Sequence, residues 1–449
     1  MRKLSVILLT LALLLTACGG GTDTSADETA TVEESSESLD APATTVATES
    51  PSGQKTGETF TMLMPALPSN ADFAVYQGTA STAVAAVWAG TILEFKAQDD
   101  PSIQPGIDDV QCFICESFTA DSDGNITVVL PDGLKSAYGN EISSDDVLYT
   151  FERVLANDFV FRFLMGVGSW NTENPITKVD DKTFIVNVTN NVPFTLGTLA
   201  WYSGSILDAT EVKSHATDED PWAKEWMAGN SATYGPYHLS SFSSGENATL
   251  SLNPGWNKFV PTYSDVVLTA VPDSATRLQA MLTGAADYTF KVDYDQLASA
   301  EGNSKVIITE ALESRSVELH LNFADEKFAD KKVRQAINFA IDRDAIVKGI
   351  MGKYGAAADT QLPEVIKGPA APGSYTQDVE KAKALLAEAG YADGFDMVIT
   401  VNAVRPGSYA SNVALLVANQ LADVGINATI SVYPSATDFE ASIRDDSFE

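Results

Sequence analysis

The amino-acid sequence predicts a mixed α/β protein with more than one lobe. Three observations point there. Alternating apolar segments and helical-period segments interleave in two separate blocks. The chain of 449 residues is long enough for two domains and a large core. Between the leader and the first strand runs a Gly/Ser/Thr/acid-rich stretch, residues 18–57, which cannot offset its ordering entropy by burial and reads as a tether.

The leader comes first. Arg2 and Lys3 precede an apolar run from Leu4 to Leu15. A transmembrane span needs ~20 apolar residues, so this run fits a secretory signal peptide, residues 1–17, instead. Leu15-Thr16-Ala17-Cys18 resembles a bacterial lipobox. That makes Cys18 the expected lipid attachment site and new N-terminus. Acyl chains bury at ~0.8 kcal/mol per CH₂, enough for two or three of them to hold a soluble domain at a membrane.

Ordered sequence starts at the strand-like "GETFTMLM". The segment "PALPSNADFAVYQ" reads as a loop into the helix "TASTAVAAVWAGTI". Asp123-Gly124-Asn125 is a hairpin turn feeding "ITVVL". A helix follows, with Ser143 and Asp146 as a capping pair and Val147, Phe151 and Val154 as its buried stripe. "DKTFIVNVT" alternates as a strand, and "NVPFTLGTLAW" starts a helix at its proline. "TYGPYHLSSF" leads into a hairpin with "SGENATLSLNPGW", and "DVVLTAV" is a strand. Thr276 to Leu282 is a short helix ending near Gly284. "KVIITEAL" and "SVELHLNF" are expected strands. Asp330, Asp342 and Asp378 are expected at helix starts, with Gly352 and Gly390 as stops. "SNVALLVANQLADVGINATISVYP" is a helix, a glycine stop and a strand.

Composition excludes some functions. A net charge of −33 argues against nucleic acid or anionic lipid as ligand. Cys112 and Cys115 form one C-x-x-C, while His215, His238 and His320 are scattered, so a four-ligand zinc site is not expected. The two cysteines read as a structural disulfide or as buried thiols. No G-x-S-x-G elbow, Walker A loop, H-E-x-x-H or G-x-G-x-x-G after a strand is present. No catalytic residue and no cofactor is assigned. The many carboxylates could furnish a glycosidase pair, but nothing marks any two of them.

At "VRQAINFAIDRDAIV" the chain resembles the extracytoplasmic solute-binding proteins of ABC importers, in the dipeptide/oligopeptide/nickel-binding family. The likeness also runs through "SDGNITVVLPDGLKSAYGNEISSDDVLYTFERVL", "YGPYHLSSFSSGENATLSLNPGWN", "RLQAMLTGAADY" and "TQDVEKAKALLAEAGYADGF", in the family's order. The resemblance implies a two-lobed periplasmic-binding-protein fold that shuts on a solute. The first lobe would combine residues 58–91 and 205–314, an inserted subdomain would span 92–204, and an incomplete second lobe would span 315–449. The chain stops where further family sequence usually follows. It departs from the family at Tyr234, near the inter-lobe region, and at the two cysteines.

Implied partners are a peptide or another small solute, the permease with its ATPases, and the membrane through the lipid. No nucleic acid is implied, and a monomer is expected. Sugars, nickel chelates, haem or a surface-sensing role are the alternatives on the same scaffold. For the cleft, the "LPSNADF" loop offers Asn70 and Phe73. The inserted side offers Trp201 and Tyr202, and Tyr234 is a further candidate. In "VNAVRPGSY", after a strand, Asn402 and Arg405 suit a peptide carboxylate or carbonyl.

Overall fold

In the computed structural model, the described residues are 58–75, 88–99, 105–310, 316–358, 360–361, 375–402, 409–433, 439 and 442. The leader, the tether and most of the helix expected from "TASTAVAAVWAGTI" lie outside them.

β1 (Thr59–Met64) opens a five-stranded sheet and turns Met62 and Met64 into the core on alternate residues. The chain then leaves this sheet. β2 (Leu93–Phe95) pairs antiparallel with β3 (Val110–Cys112). β4 (Ser117–Ala120) and β5 (Ile126–Val129) form the expected hairpin, with Gly124 in the left-handed region at φ +89°. α1 (Ser144–Ala156) begins where anticipated. Asp146 Oδ2 accepts from both the backbone N–H and the hydroxyl of Ser143, each at 2.8 Å. α2 (Phe161–Val167), β6 (Ile176–Lys178), β7 (Thr183–Val186) and α3 (Phe194–Leu199) complete this unit. Its larger sheet runs in the order β4-β5-β7-β6. Phe151, Phe161 and Trp170 pack ring on ring in its core, with centroids 4.9 to 5.5 Å apart.

The chain returns through α4 (Ala209–Ser214) and α5 (Lys224–Met227) to the first sheet. There β8 (Tyr237–Ser243), β9 (Asn247–Leu252) and β10 (Asp265–Ala270) are joined, after α6 (Ser274–Thr283), by β11 (Tyr288–Thr289). The order is β11-β1-β10-β9-β8, with β10 and β11 parallel to β1 and the β8–β9 hairpin antiparallel. α7 (Tyr294–Leu297) follows.

The last block has its own core. α8 (Glu326–Ala329), α9 (Lys331–Ala340), α10 (Arg343–Ile350) and α11 (Val379–Glu388) precede β12 (Phe395–Asn402), α12 (Ala410–Ala422) and β13 (Ile426–Tyr433). β12 and β13 pair in parallel from Phe395↔Ile426 to Asn402↔Tyr433. A parallel pair needs a crossover, and α12 supplies it. Val333, Ile337, Leu386, Leu421 and Ile426 meet at the centre. The expected caps hold: Asp330, Asp342 and Asp378 accept from the N–H groups of Lys332, Ala345 and Lys381 at 2.7 to 2.9 Å.

Two expected strands are not formed. The described parts of "KVIITEAL" and "SVELHLNF" take no part in a ladder, and Ile307 and Phe323 stand exposed. A strand is stable only when a neighbour takes its backbone hydrogen bonds, and among the described residues no strand pairs with these two.

Candidate functional site

Two junctions between units could hold a ligand, and their chemistry differs. The first lies between the insertion and the five-stranded sheet. Here the Thr233 hydroxyl donates to the Trp88 carbonyl at 3.0 Å, and the Ile206 N–H donates to the Gly90 carbonyl at 2.9 Å. A Cβ on Gly235 would collide with the Trp88 carbonyl oxygen, so the "GPY" turn requires glycine for this close approach. Asp146, beyond capping α1, accepts from the Ala209 N–H at 2.8 Å. Asp208 accepts from the Ser136 hydroxyl at 2.5 Å and the Asn140 amide at 2.9 Å. Burial pushes the Asp146 carboxyl up, against the pull of its hydrogen bonds.

Five of the candidates sit around this junction. Asn70 lies in the loop after β1 and is partly exposed; its Oδ1 accepts from the Asp72 N–H at 2.8 Å. Phe73 is buried against Trp88, with ring centroids 5.5 Å apart. Trp201 is half-buried and packs against the cores of both the insertion and the first sheet, with the buried Tyr202 ring 5.4 Å away. Tyr234 is 0% exposed in the core of the insertion. Burial, with the Asp146 and Asp208 carboxylates nearby, pushes its phenol far up. In this conformation Phe73, Tyr202 and Tyr234 are buried, whereas Asn70 and Trp201 keep an accessible edge.

The second junction faces the last block. The Tyr294 ring from α7 stacks on Tyr354 at 6.0 Å and meets Tyr409 at 5.5 Å. Glu301 accepts from the Tyr354 hydroxyl at 2.6 Å and pairs with Lys353 Nζ at 2.9 Å. These two hydrogen bonds hold the Glu301 carboxyl below its ordinary range. A cavity of about 350 Å³ opens beside them, lined by Glu301, Gly302, Ile308, Glu310, Lys353 and Tyr354. Asn402 ends β12 and is buried, and Tyr409 is the next described residue. Arg405 lies outside the described residues, as does Cys18.

The structure thus does not gather the candidates at one point. Asn70 and Trp201 lie at the first junction, and Asn402 lies on the side of the second. Sequence reasoning missed Asp72, Arg153, Tyr294, Glu301, Lys353 and Tyr354. Tyr294 and Tyr354 come from different elements, far apart in the chain, and no local spacing marks such a contact. Cys112 and Cys115 are bonded to each other, with Cα atoms 5.0 Å apart. Among the described residues, no cluster of three or more His, Cys, Asp or Glu is placed to hold a metal ion, and no helix is long and apolar enough to cross a membrane.

A family model described as bacterial extracellular solute-binding proteins, family 5 (middle part), matches residues 110–449. The glutathione-binding protein GsiB of Shigella boydii is 27% identical over 323 residues, 71% of this chain and 60% of that protein. The chain therefore spans about three fifths of the length of such relatives. DppA from Helicobacter pylori, solved with the peptide STSA, superposes with a TM-score of 0.72 at 22% identity, covering 87% of this chain and 76% of that one. A dipeptide-binding protein from Pseudoalteromonas sp. SM9913, solved with Met-Leu, gives 0.73 at 21% identity, covering 86% and 78%. These likenesses show the two-lobed α/β fold.

Proposed function

Since the chain belongs to the bacterial extracellular solute-binding proteins of family 5, we propose that it is the lipid-anchored, substrate-binding component of an ABC importer that captures peptides. The observation that carries this reading is the second junction. Two separately cored units meet there, among the described residues, through side chains that include Tyr294 and Tyr354, beside an open cavity. Such a boundary can open and shut, and a ligand that touches both sides only in the shut form favours closure by those extra contacts. Asn402 and Arg405 would meet the solute at the second junction, and Asn70 and Trp201 would meet the part of it that extends to the first. An arginine three residues past the end of β12 suits a peptide carboxylate, which it can grip with two parallel hydrogen bonds. The relatives' ligands named above, glutathione, STSA and Met-Leu, are all peptidic. No bond is made or broken in this role; ATP is spent by other subunits. Cys18 would carry the lipid that keeps the clamp near its permease.

A thermal-shift screen against di-, tri- and tetrapeptide pools tests the ligand class. A peptide at about a hundred times its Kd adds about 2.7 kcal/mol of stability. No shift with any pool would sink the peptide reading. For the anchor, Cys18→Ser releases the protein from membranes; retention would contradict it.

A further inference from the structure

The loop from Pro68 to Val75 has no regular secondary structure, yet it is tied down from several directions. The Pro68 carbonyl accepts from the Gly245 N–H at 3.0 Å, and the Ser69 carbonyl accepts from the Ser244 hydroxyl at 2.9 Å. The Ala71 N–H donates to the Ala228 carbonyl at 2.8 Å, and the Ala74 carbonyl accepts from the Val160 N–H at 3.2 Å. Its own shape comes from two successive side-chain turns. Asn70 Oδ1 takes the Asp72 N–H at 2.8 Å, and Asp72 Oδ1 takes the Ala74 N–H at 3.0 Å.

The other oxygen of Asp72 has a distant partner. Arg153 Nη2, in the last turn of α1, donates to Asp72 Oδ2 at 2.6 Å, and both side chains are 1% exposed. Arg153 Nε donates to the Trp222 carbonyl at 3.0 Å, and its guanidinium carbon lies 4.9 Å from the centre of the Phe159 ring. One arginine therefore joins the insertion, the segment before α5 and the loop after β1.

Stability explains this pair poorly. Taking two charges out of water is costly, and apolar residues of similar volume often do as well or better. Geometry explains it better. Arg153 fixes the Asp72 carboxylate, and that carboxylate sets the turn to Ala74, while the Asp72 N–H anchors Asn70. We infer that Arg153 is a positioning residue for the solute cleft, acting from the insertion through Asp72 on the loop that carries Asn70. This rests on the reading that the loop lines the cleft.

The test is the double variant Arg153→Met/Asp72→Asn, which leaves no buried charge alone and keeps an oxygen for the Ala74 turn. Hydrogen exchange is followed by mass spectrometry without ligand. If Arg153 positions the loop, exchange in fragments covering 68–75 quickens about tenfold, with α1 fragments and the melting temperature little changed. A purely structural role would instead speed exchange throughout the insertion and lower the melting temperature. Unchanged exchange in 68–75 overturns the inference. Should the double variant fail to fold, Arg153→Lys, which cannot hold both Asp72 and the Trp222 carbonyl, takes its place with the same two outcomes. In a second arm, affinity for a tripeptide pool falls about tenfold in the variant, about 1.4 kcal/mol. Equal affinity in both proteins overturns the positioning role. A wild-type protein that binds no peptide defeats the peptide reading alone, because the exchange arm still decides whether Arg153 shapes the loop.

Discussion

The two junctions of this molecule are built on different principles. Where the insertion meets the first sheet, backbone lies on backbone at Gly235, buried carboxylates bridge helix starts, and Trp201 packs on two cores at once. Where the chain after the first sheet meets the last block, the contacts among the described residues include three tyrosine rings and one exposed glutamate with its two donors. The first arrangement is packed like a protein interior, where even small volume changes are felt. The second exchanges easily for water. Hinge motion is drawn from regions with few buried contacts. On the clamp reading, opening therefore occurs at the boundary of Tyr294 and Tyr354, and the insertion moves with the first lobe.

Gly235 is where this contrast can fail most visibly. Gly235→Ala drives a methyl group into the Trp88 carbonyl, and costs about 3 kcal/mol in urea unfolding, at the high end for overpacking. A cost below about 1 kcal/mol would mean that the first junction gives way as readily as the second. Next comes the Cys112–Cys115 bond, which borders β3 inside the insertion, where the Lys258 ammonium donates to the Cys115 carbonyl at 2.8 Å. Replacing both cysteines by serine removes a closed loop of about four residues, worth about 2 kcal/mol in the chain-entropy account. The loss should appear in the insertion alone and leave solute affinity unchanged; a fall in affinity would tie this bond, as well as Arg153, to the cleft.

How far the sequence reveals these regions follows from the range of the forces involved. The caps at Ser143, Asp330, Asp342 and Asp378 are legible because each is settled within four residues. So is the hairpin at Gly124. The sequences "KVIITEAL" and "SVELHLNF" have strand composition, but pairing depends on a neighbour that composition does not name. Phe73, Tyr202 and Tyr234 flank loops and so read as ligand platforms, yet the structure buries them, since burial is decided by what folds over a residue. The Arg153–Asp72 pair spans 81 positions and leaves no local trace.

The smallest expected effect is at the second junction. Glu301 titrates below its ordinary 4.5, chiefly because Tyr354 and Lys353 donate to it. A carboxylate with a depressed value contributes its stabilisation fully above 4.5 and loses it as pH falls through the lower folded value. Exchange at Lys353 and Tyr354 should therefore quicken below that point in the wild-type protein. In Glu301→Gln the step should vanish, while the melting temperature at pH 7 hardly moves, since exposed pairs contribute little. A large loss of global stability in that variant would place the contact among the rigid ones.

Small-angle X-ray scattering, with and without a saturating peptide from the screen, tests the clamp itself. Closure gives a smaller radius of gyration with peptide, fitted by rotating residues 316–433 as one body against 58–310. An unchanged radius at saturation, or a fit that requires the insertion to move away from the first sheet, would rule the clamp out.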